Sequence, residues 1–269
     1  ERSKTIPSKD SGYILDTEKT SCSNGASIEL DEDTWSFVVK DMTVARTSCH
    51  LYFKSEAILA KRDCTNSCTD TTRAFQDKYI ANTTKIIFRQ SAEEPENVLA
   101  TYDESEAKNG KIKAYVLSNT EDTSTYTILF QSTDTIYLPP NSGYYFANFT
   151  KLTSIEGLEN VSTSFTTNMN SMFYNANSFT ALDLSSFDTS NVTNMNGMFA
   201  VTSKLVNLNL SNFNTSKVTD MSYMFYDASN LTDLNLASFD TSNVLNMAYM
   251  FYNNSSLTKL DISNFNTSN

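Results

Sequence analysis

Residues 182–199 read LDLSSFDTSNVTNMNGMF, and the same wording returns as LNLSNFNTSKVTDMSYMF at 208–225 and LNLASFDTSNVLNMAYMF at 234–251. A fourth copy, LDISNFNTSN, occupies 260–269. Phe187, Phe213, Phe239 and Phe265 are spaced by 26 residues, as are Phe199, Phe225 and Phe251. A fixed period of this size marks units that bury their apolar faces only against their neighbours, the signature of a solenoid.

Each unit divides in two. Leu182-Asp183-Leu184 and its copies alternate apolar and polar, as a half-buried strand does. Stacked in parallel, the strands would form one column of Leu182, Leu208, Leu234 and Leu260 and a second of Leu184, Leu210, Leu236 and Ile262. Val192, Met195, Met198 and Phe199 then follow at spacings of 3, 3 and 1, repeated in the next two copies. That spacing predicts one face of a short helix, with Asp188-Thr189-Ser190-Asn191 supplying the turn and N-cap. The repeated Met and Phe read as core, in preference to a metal or cofactor box. Leu152 and Ile155 stand 27 residues before Phe179 and Leu182, whereas Met169, Met172 and Phe173 stand 26 before their counterparts. One residue is therefore added or missing near Gly157, as suits an atypical terminal repeat.

This wording resembles the 26-residue repeat of BspA-like bacterial leucine-rich-repeat surface proteins. The resemblance covers residues 152–269 closely and the preceding IYLPPNSGYYFANFTKLTSIEGLEN more weakly. It implies an extracellular, cell-surface-attached, non-enzymatic protein, adhering to host proteins or other cells. The chain departs from the family in one respect. Where those repeats often carry Cys three residues after the Met-Phe pair, Ala176, Thr202, Ala228 and Asn254 stand here.

Three segments are expected. Residues 1–82 form an N-terminal β domain, with strands at 13–15, 35–39 and 49–53 in a sandwich-like unit anchored by Trp35. It ends in a helical connector over 55–81 in which Ala74, Phe75, Tyr79 and Ile80 share a face. Residues 83–147 form a β-meander cap with strands at 85–88, 112–117, 126–130 and 135–138. Residues 148–269 form the leucine-rich-repeat solenoid, so the fold class is β-rich α+β. The four cysteines fall in the first quarter and allow three pairings. Cys22–Cys49, across two strands, and Cys64–Cys68, a local loop, are the favoured disulfides, and would place the chain outside the cytoplasm. Free thiols remain an alternative. A zinc site is the weakest reading, because the spacing is wrong and His50 is the one histidine.

The net charge of −11 argues against nucleic acid and anionic membranes, which need clustered Lys and Arg. No apolar run approaches the roughly 20 residues of a membrane helix. The chain opens without Met and stops inside a repeat, so it reads as a piece of a longer protein whose export signal and anchor lie elsewhere. No G-x-S-x-G, HExxH or P-loop occurs, and His50 has no evident nucleophile to serve. Acidic pairs such as Asp31-Glu32-Asp33 and Glu93-Glu94 read as solvated turns lacking a calcium-loop spacing. The expectation is a monomer with no catalytic residue, metal or cofactor.

Letters that change between copies are where a partner would be read. Asn207, Asp233 and Lys259 continue the column of Ala181, beside Asp183, Asn209, Asn235 and Asp261. Tyr226 and Tyr252 continue the column of Tyr174, broken at Ala200, and Tyr223 and Tyr249 form another. Polar ladders on a solvated face, and half-buried tyrosines between units, are the bland readings. The functional reading is an adhesin that binds a protein or glycan on a host or bacterial surface through the repeat face. A structural stalk, or a carbohydrate-binding N-terminal module, are the rivals.

Overall fold

The computed structural model describes residues 77–105 and 110–268, with side chains from Tyr79 onward, and upstream only the backbone of seven short strands. Six of those strands pair antiparallel in twos: β1 (Tyr13–Leu15) with β6 (Phe53–Ser55), β2 (Ser21–Cys22) with β5 (Cys49–His50), and β3 (Ser27–Asp31) with β4 (Ser36–Lys40). Separate two-stranded pairs replace the expected sandwich-like unit. Trp35, Ala74, Phe75, Cys64 and Cys68 lie outside the described residues. The backbone sets Cys22 opposite Cys49, but their side chains also lie outside the description, and no disulfide is shown among the described residues. The expected bridges Cys22–Cys49 and Cys64–Cys68 are thus not supported, because facing backbone positions alone do not make a bond.

Of the helical connector expected over 55–81, Ala57–Ile58 is strand, residues 59–76 lie outside the described residues, and the end is helical. Helix α1 (Asp77–Asn82) buries Tyr79 and Ile80, and the Tyr79 ring meets Tyr126 edge-on at 5.0 Å. The chain then enters β8 (Thr83–Gln90), whose Ile86 and Phe88 point into the core. A simple meander does not follow. Strand β10 (Lys113–Ser118) pairs antiparallel with both β9 (Val98–Asp103) and β11 (Tyr126–Ser132), but β11 runs parallel to β8. The outer neighbour of β8 is β13 (Ser154–Glu156), also parallel, giving the order β13-β8-β11-β10-β9. β7 (Ala57–Ile58) and β14 (Val161–Ser162) flank β12 (Ile136–Tyr137) in a parallel trio.

The 26-residue units do stack in register, but not as strand-plus-helix repeats. Parallel bridges run from Asn141 to Asn168, then to Asn194, Asp220 and Asn246, so the ladder begins inside the segment assigned to the cap. The first step is 27 residues, and the later ones are 26. The strands are brief: β15 (Ala181–Asp183) pairs with β16 (Asn207–Asn209), and β17 (Asp233–Leu234) with β18 (Lys259–Leu260). Among the described residues of the repeats the helix found is one 3-10 turn, Leu158–Asn160.

Residues 192–199 and their copies, expected as helices, are consecutive tight turns. Gly197 and Val201 are left-handed at φ 59° and 61°, as are Tyr223 and Asp227, and Tyr249 and Asn253. A left-handed residue at every fourth position breaks the run of right-handed residues that an α-helix needs. Hydrogen bonding alternates instead. The N–H groups of Met195, Gly197, Phe199 and Val201 donate to Asp220, Ser222, Met224 and Tyr226 of the next unit at 2.8–2.9 Å. Between them, Met198 and Ala200 close local turns onto Met195 and Gly197. Tight turns also bring residues three apart onto one side, which is why the spacing mimicked a helix. The fold is therefore β-rich with mixed sheets, and the α+β leucine-rich-repeat solenoid is not what the chain forms.

The core is continuous through both parts. Phe130 stacks on Phe88 at 5.0 Å, Phe88 meets Phe146 edge-on, and Phe146, Phe173, Phe199, Phe225 and Phe251 stack in turn at 5.2–5.7 Å. Each fully buried Phe contributes about 1.5–3 kcal/mol relative to exposure. Met195, Met198, Met221 and Met224 fill the space beside them with no exposed surface.

Candidate binding surfaces

Three columns of Asx turns shape the surface of the array. Asp183, Asn209, Asn235 and Asp261 each accept the backbone N–H two residues on, at 2.9–3.1 Å. Asp188, Asn214, Asp240 and Asn266 do the same, and so do Asn168, Asn194, Asp220 and Asn246. The side chains offset backbone donors that the tight turns would leave unpaired. Asp183 also accepts from Asn209 Nδ2 at 3.0 Å. The N–H of Ser185, then its hydroxyl and Asn209, hold the Asp183 carboxyl below its ordinary value. Bonds from Ser242 and Ser263 do the same for Asp240 and Asp261. This column, expected to read a partner, is occupied in maintaining its own turns.

Beneath the turns lies a buried threonine column. Thr163, Thr189, Thr215 and Thr241 are at most 1% exposed, and their hydroxyls donate to the carbonyls of Asp188, Asn214, Asp240 and Asn266 in the following unit. Residues 188–191, expected as a helix cap, instead join units together.

Asn207, Asp233 and Lys259 stand exposed on the strand positions, with Asp233 opposite Lys259 in register. The tyrosines converge. Tyr223 stacks on Tyr249 and Tyr226 on Tyr252, both at 5.1 Å. Across the columns Tyr223 lies 5.6 Å from Tyr226, and Tyr249 meets Tyr252 edge-on at 6.0 Å. Tyr223, Tyr249 and Tyr252 are 41%, 58% and 55% exposed. Tyr223 and Tyr249 occupy left-handed positions where the preceding units carry Tyr144, Ser171 and Gly197. The signal for this was in the sequence: a column holding Gly197 marks a positive φ, and tyrosine there is costly. Leu245, 75% exposed where Thr193 and Thr219 stand in earlier units, was not singled out.

Among the described residues, no group of three or more His, Cys, Asp or Glu side chains is arranged to hold a metal, and no helix is long and apolar enough to cross a membrane. The side chains of His50 and Asp31 lie outside the description. Glu94 takes an exposed ion pair from Lys113 at 3.0 Å, whose ammonium that bond raises above its ordinary value.

Residues 142–265, almost the whole stacked array, match a family described as a Mycoplasma protein of unknown function, DUF285. No curated protein and no solved structure matches the chain. The match to this family and the absence of α-helix among the described residues of the units overturn the BspA-like leucine-rich-repeat assignment. The expected surface attachment and adhesion lose the support they drew from that resemblance.

Proposed function

We propose that the chain is a non-enzymatic binding protein that recognises a protein on a host or bacterial surface through the tyrosine cluster of its stacked units. The observation that carries the reading is the meeting of Tyr223, Tyr226, Tyr249 and Tyr252 on adjacent units, three of them well exposed. Tyrosine is enriched at interface centres, where its ring packs and its hydroxyl bonds. Holding Tyr223 and Tyr249 in left-handed backbone costs of order 1–3 kcal/mol each, in a turn that Gly197 makes without that cost. Stacking within each column covers ring faces and leaves edges and hydroxyls outward, which favours a protein partner over face-stacked sugar rings. An extracellular surface is the setting in which such a partner would be met.

The exposed Asn207, Asp233 and Lys259 column is a second surface for the same role, since Asp233 beside Lys259 gives it a charge pattern that differs from unit to unit. The test is capture of partners from host-cell and bacterial surface extracts by the immobilised chain. A Tyr249→Ser, Tyr252→Ser double variant is expected to lose the captured proteins, while Asp233→Lys with Lys259→Glu separates the two surfaces. Undiminished capture by both variants contradicts the reading and leaves the array as a spacer. Antibody labelling of intact source cells tests the location.

A further inference from the structure

A cleft of about 360 Å³ opens between β13 and β15, lined by Thr153, Ser154, Ile155, Glu159, Ala181 and Asp183 among others. It separates the first unit from the second on their strand side only. Around it the same two units are in contact: Phe146 stacks on Phe173, Ser178 Oγ donates to the Thr150 carbonyl at 2.7 Å, Thr163 Oγ1 donates to that of Asp188, and at the cleft's margin Ser186 Oγ donates to that of Leu158 at 3.4 Å. The first unit carries the extra residue of the 27-residue step, and its Gly157 is left-handed at φ 77° against the carbonyl of Phe88. That turn seats β13 on β8, while β15 pairs with β16, so the two strands are edges of different sheets.

Both edges present backbone groups to the cleft. Thr153 N–H donates to the carbonyl of Thr84 in β8, and Leu184 N–H, just past β15, donates to the carbonyl of Asn209 in β16. Successive residues of a strand turn their N–H and C=O to opposite sides in the sheet plane. Ser154 and Glu156 therefore turn theirs away from β8, and Ala181 and Asp183 away from β16, toward the cleft. Half-buried Ile155 and buried Leu182 lie between them. Glu159 and Asp183 add negative charge to the lining, while Glu156 is paired with Lys85 at 2.7 Å.

We infer that this cleft binds a short extended peptide segment carrying lysine or arginine side chains, which lies along the β13 and β15 edges as an added strand. Main-chain hydrogen bonds give such binding its affinity, and alternate side chains give it selectivity. Here the carboxylate of Glu159 and the charge of Asp183, which keeps its turn bonds to Ser185 and Asn209, select the cationic side chains.

The probe is a fluorescein-labelled, end-blocked pentapeptide of alternating lysine and valine, titrated into the full chain at low salt by fluorescence polarisation. A copy N-methylated at alternate amides keeps the charge and removes the strand's hydrogen bonds. The expected result is saturable binding weakened at least tenfold by N-methylation and several-fold by Asp183→Asn, with hydrogen exchange slowed at residues 154–156 and 181–183. Asp183→Asn keeps the acceptor that Asn209 uses in its own turn, so the variant folds. Equal binding of the N-methylated peptide, exchange protection elsewhere, or absence of binding overturns the inference.

Discussion

Thr215 Oγ1 donates to the carbonyl of Asp240 at 2.9 Å and accepts the N–H of the same residue at 2.8 Å. One buried hydroxyl thus satisfies both backbone groups of a residue in the next unit. Thr189 does the same for Asn214, and Thr241 for Asn266. Thr215→Val keeps shape and removes both bonds, stranding a donor and an acceptor. The cost is about 2 kcal/mol. Urea denaturation should show a lower midpoint with an unchanged slope. A midpoint equal to that of the parent would mean the column adds nothing.

Val201 is the misfit of its column. The equivalent positions hold Asn148, Asn175, Asp227 and Asn253, all left-handed, a conformation that Asn and Asp tolerate and a β-branched residue does not. Asn175 Nδ2 donates to Asn148 Oδ1 at 2.9 Å and Asn253 Nδ2 to Asp227 Oδ1 at 2.6 Å, so Val201 also interrupts an amide ladder. Val201→Asn should stabilise the chain by about 1 kcal/mol, read as a rise in thermal midpoint.

Tyr249→Asn separates stability from recognition. The substitution loses stacking on Tyr223, of about 0.5–1.5 kcal/mol, and relieves left-handed strain of similar size. Thermal stability should change little, while partner capture falls. A variant that binds as before would remove Tyr249 from the proposed surface.

The array should be acid-sensitive. Asp183, Asp240 and Asp261 have carboxyls held below the ordinary 3.8 by hydrogen bonds from Ser185, Ser242 and Ser263 respectively. A folded-state value below the unfolded one gives stability that is fully present above the unfolded value and lost as pH falls through the folded one. Melting temperature should therefore decline as pH drops below about 3.8. Asp183→Asn, which retains an acceptor for Ser185, should make that decline shallower, and an identical decline would exclude Asp183 from it.

The period, the Phe column and the pairing of tyrosines across units were legible because identical letters at a fixed spacing can be satisfied only by stacking in register. The turn structure was not. Met195, Met198 and Phe199 lie on one side of a helix and equally on one side of successive tight turns, and hydrophobic spacing does not separate the two. Gly197, aligned with Tyr223 and Tyr249, was the available cue to a positive φ. The parallel pairing of β8 with both β11 and β13 left no local trace, since register between distant segments is set by packing of Ile86 and Phe88 on the shared core. Among the expected site residues, Asp183, Asn209, Asn235 and Asp261 looked variable enough to bind, yet Asp and Asn interchange there because either oxygen accepts the same N–H.

Gly157 marks the junction. A Cβ at this position would stand 1.9 Å from the carbonyl oxygen of Phe88, a contact with backbone that no side-chain movement relieves. Gly157→Ala should destabilise the chain by about 2 kcal/mol or more, since left-handed strain adds to the clash. Near-UV signals of the Tyr79–Tyr126 pair should report whether the β8 sheet is disturbed with it.

The most direct test of the stacked-turn architecture is nuclear magnetic resonance detection of scalar coupling through hydrogen bonds. The structure predicts coupling from the Gly197 nitrogen to the Ser222 carbonyl carbon and from Phe199 to Met224, across units. Coupling from these amides to carbonyls four residues earlier in the same unit would restore the helix and contradict the account.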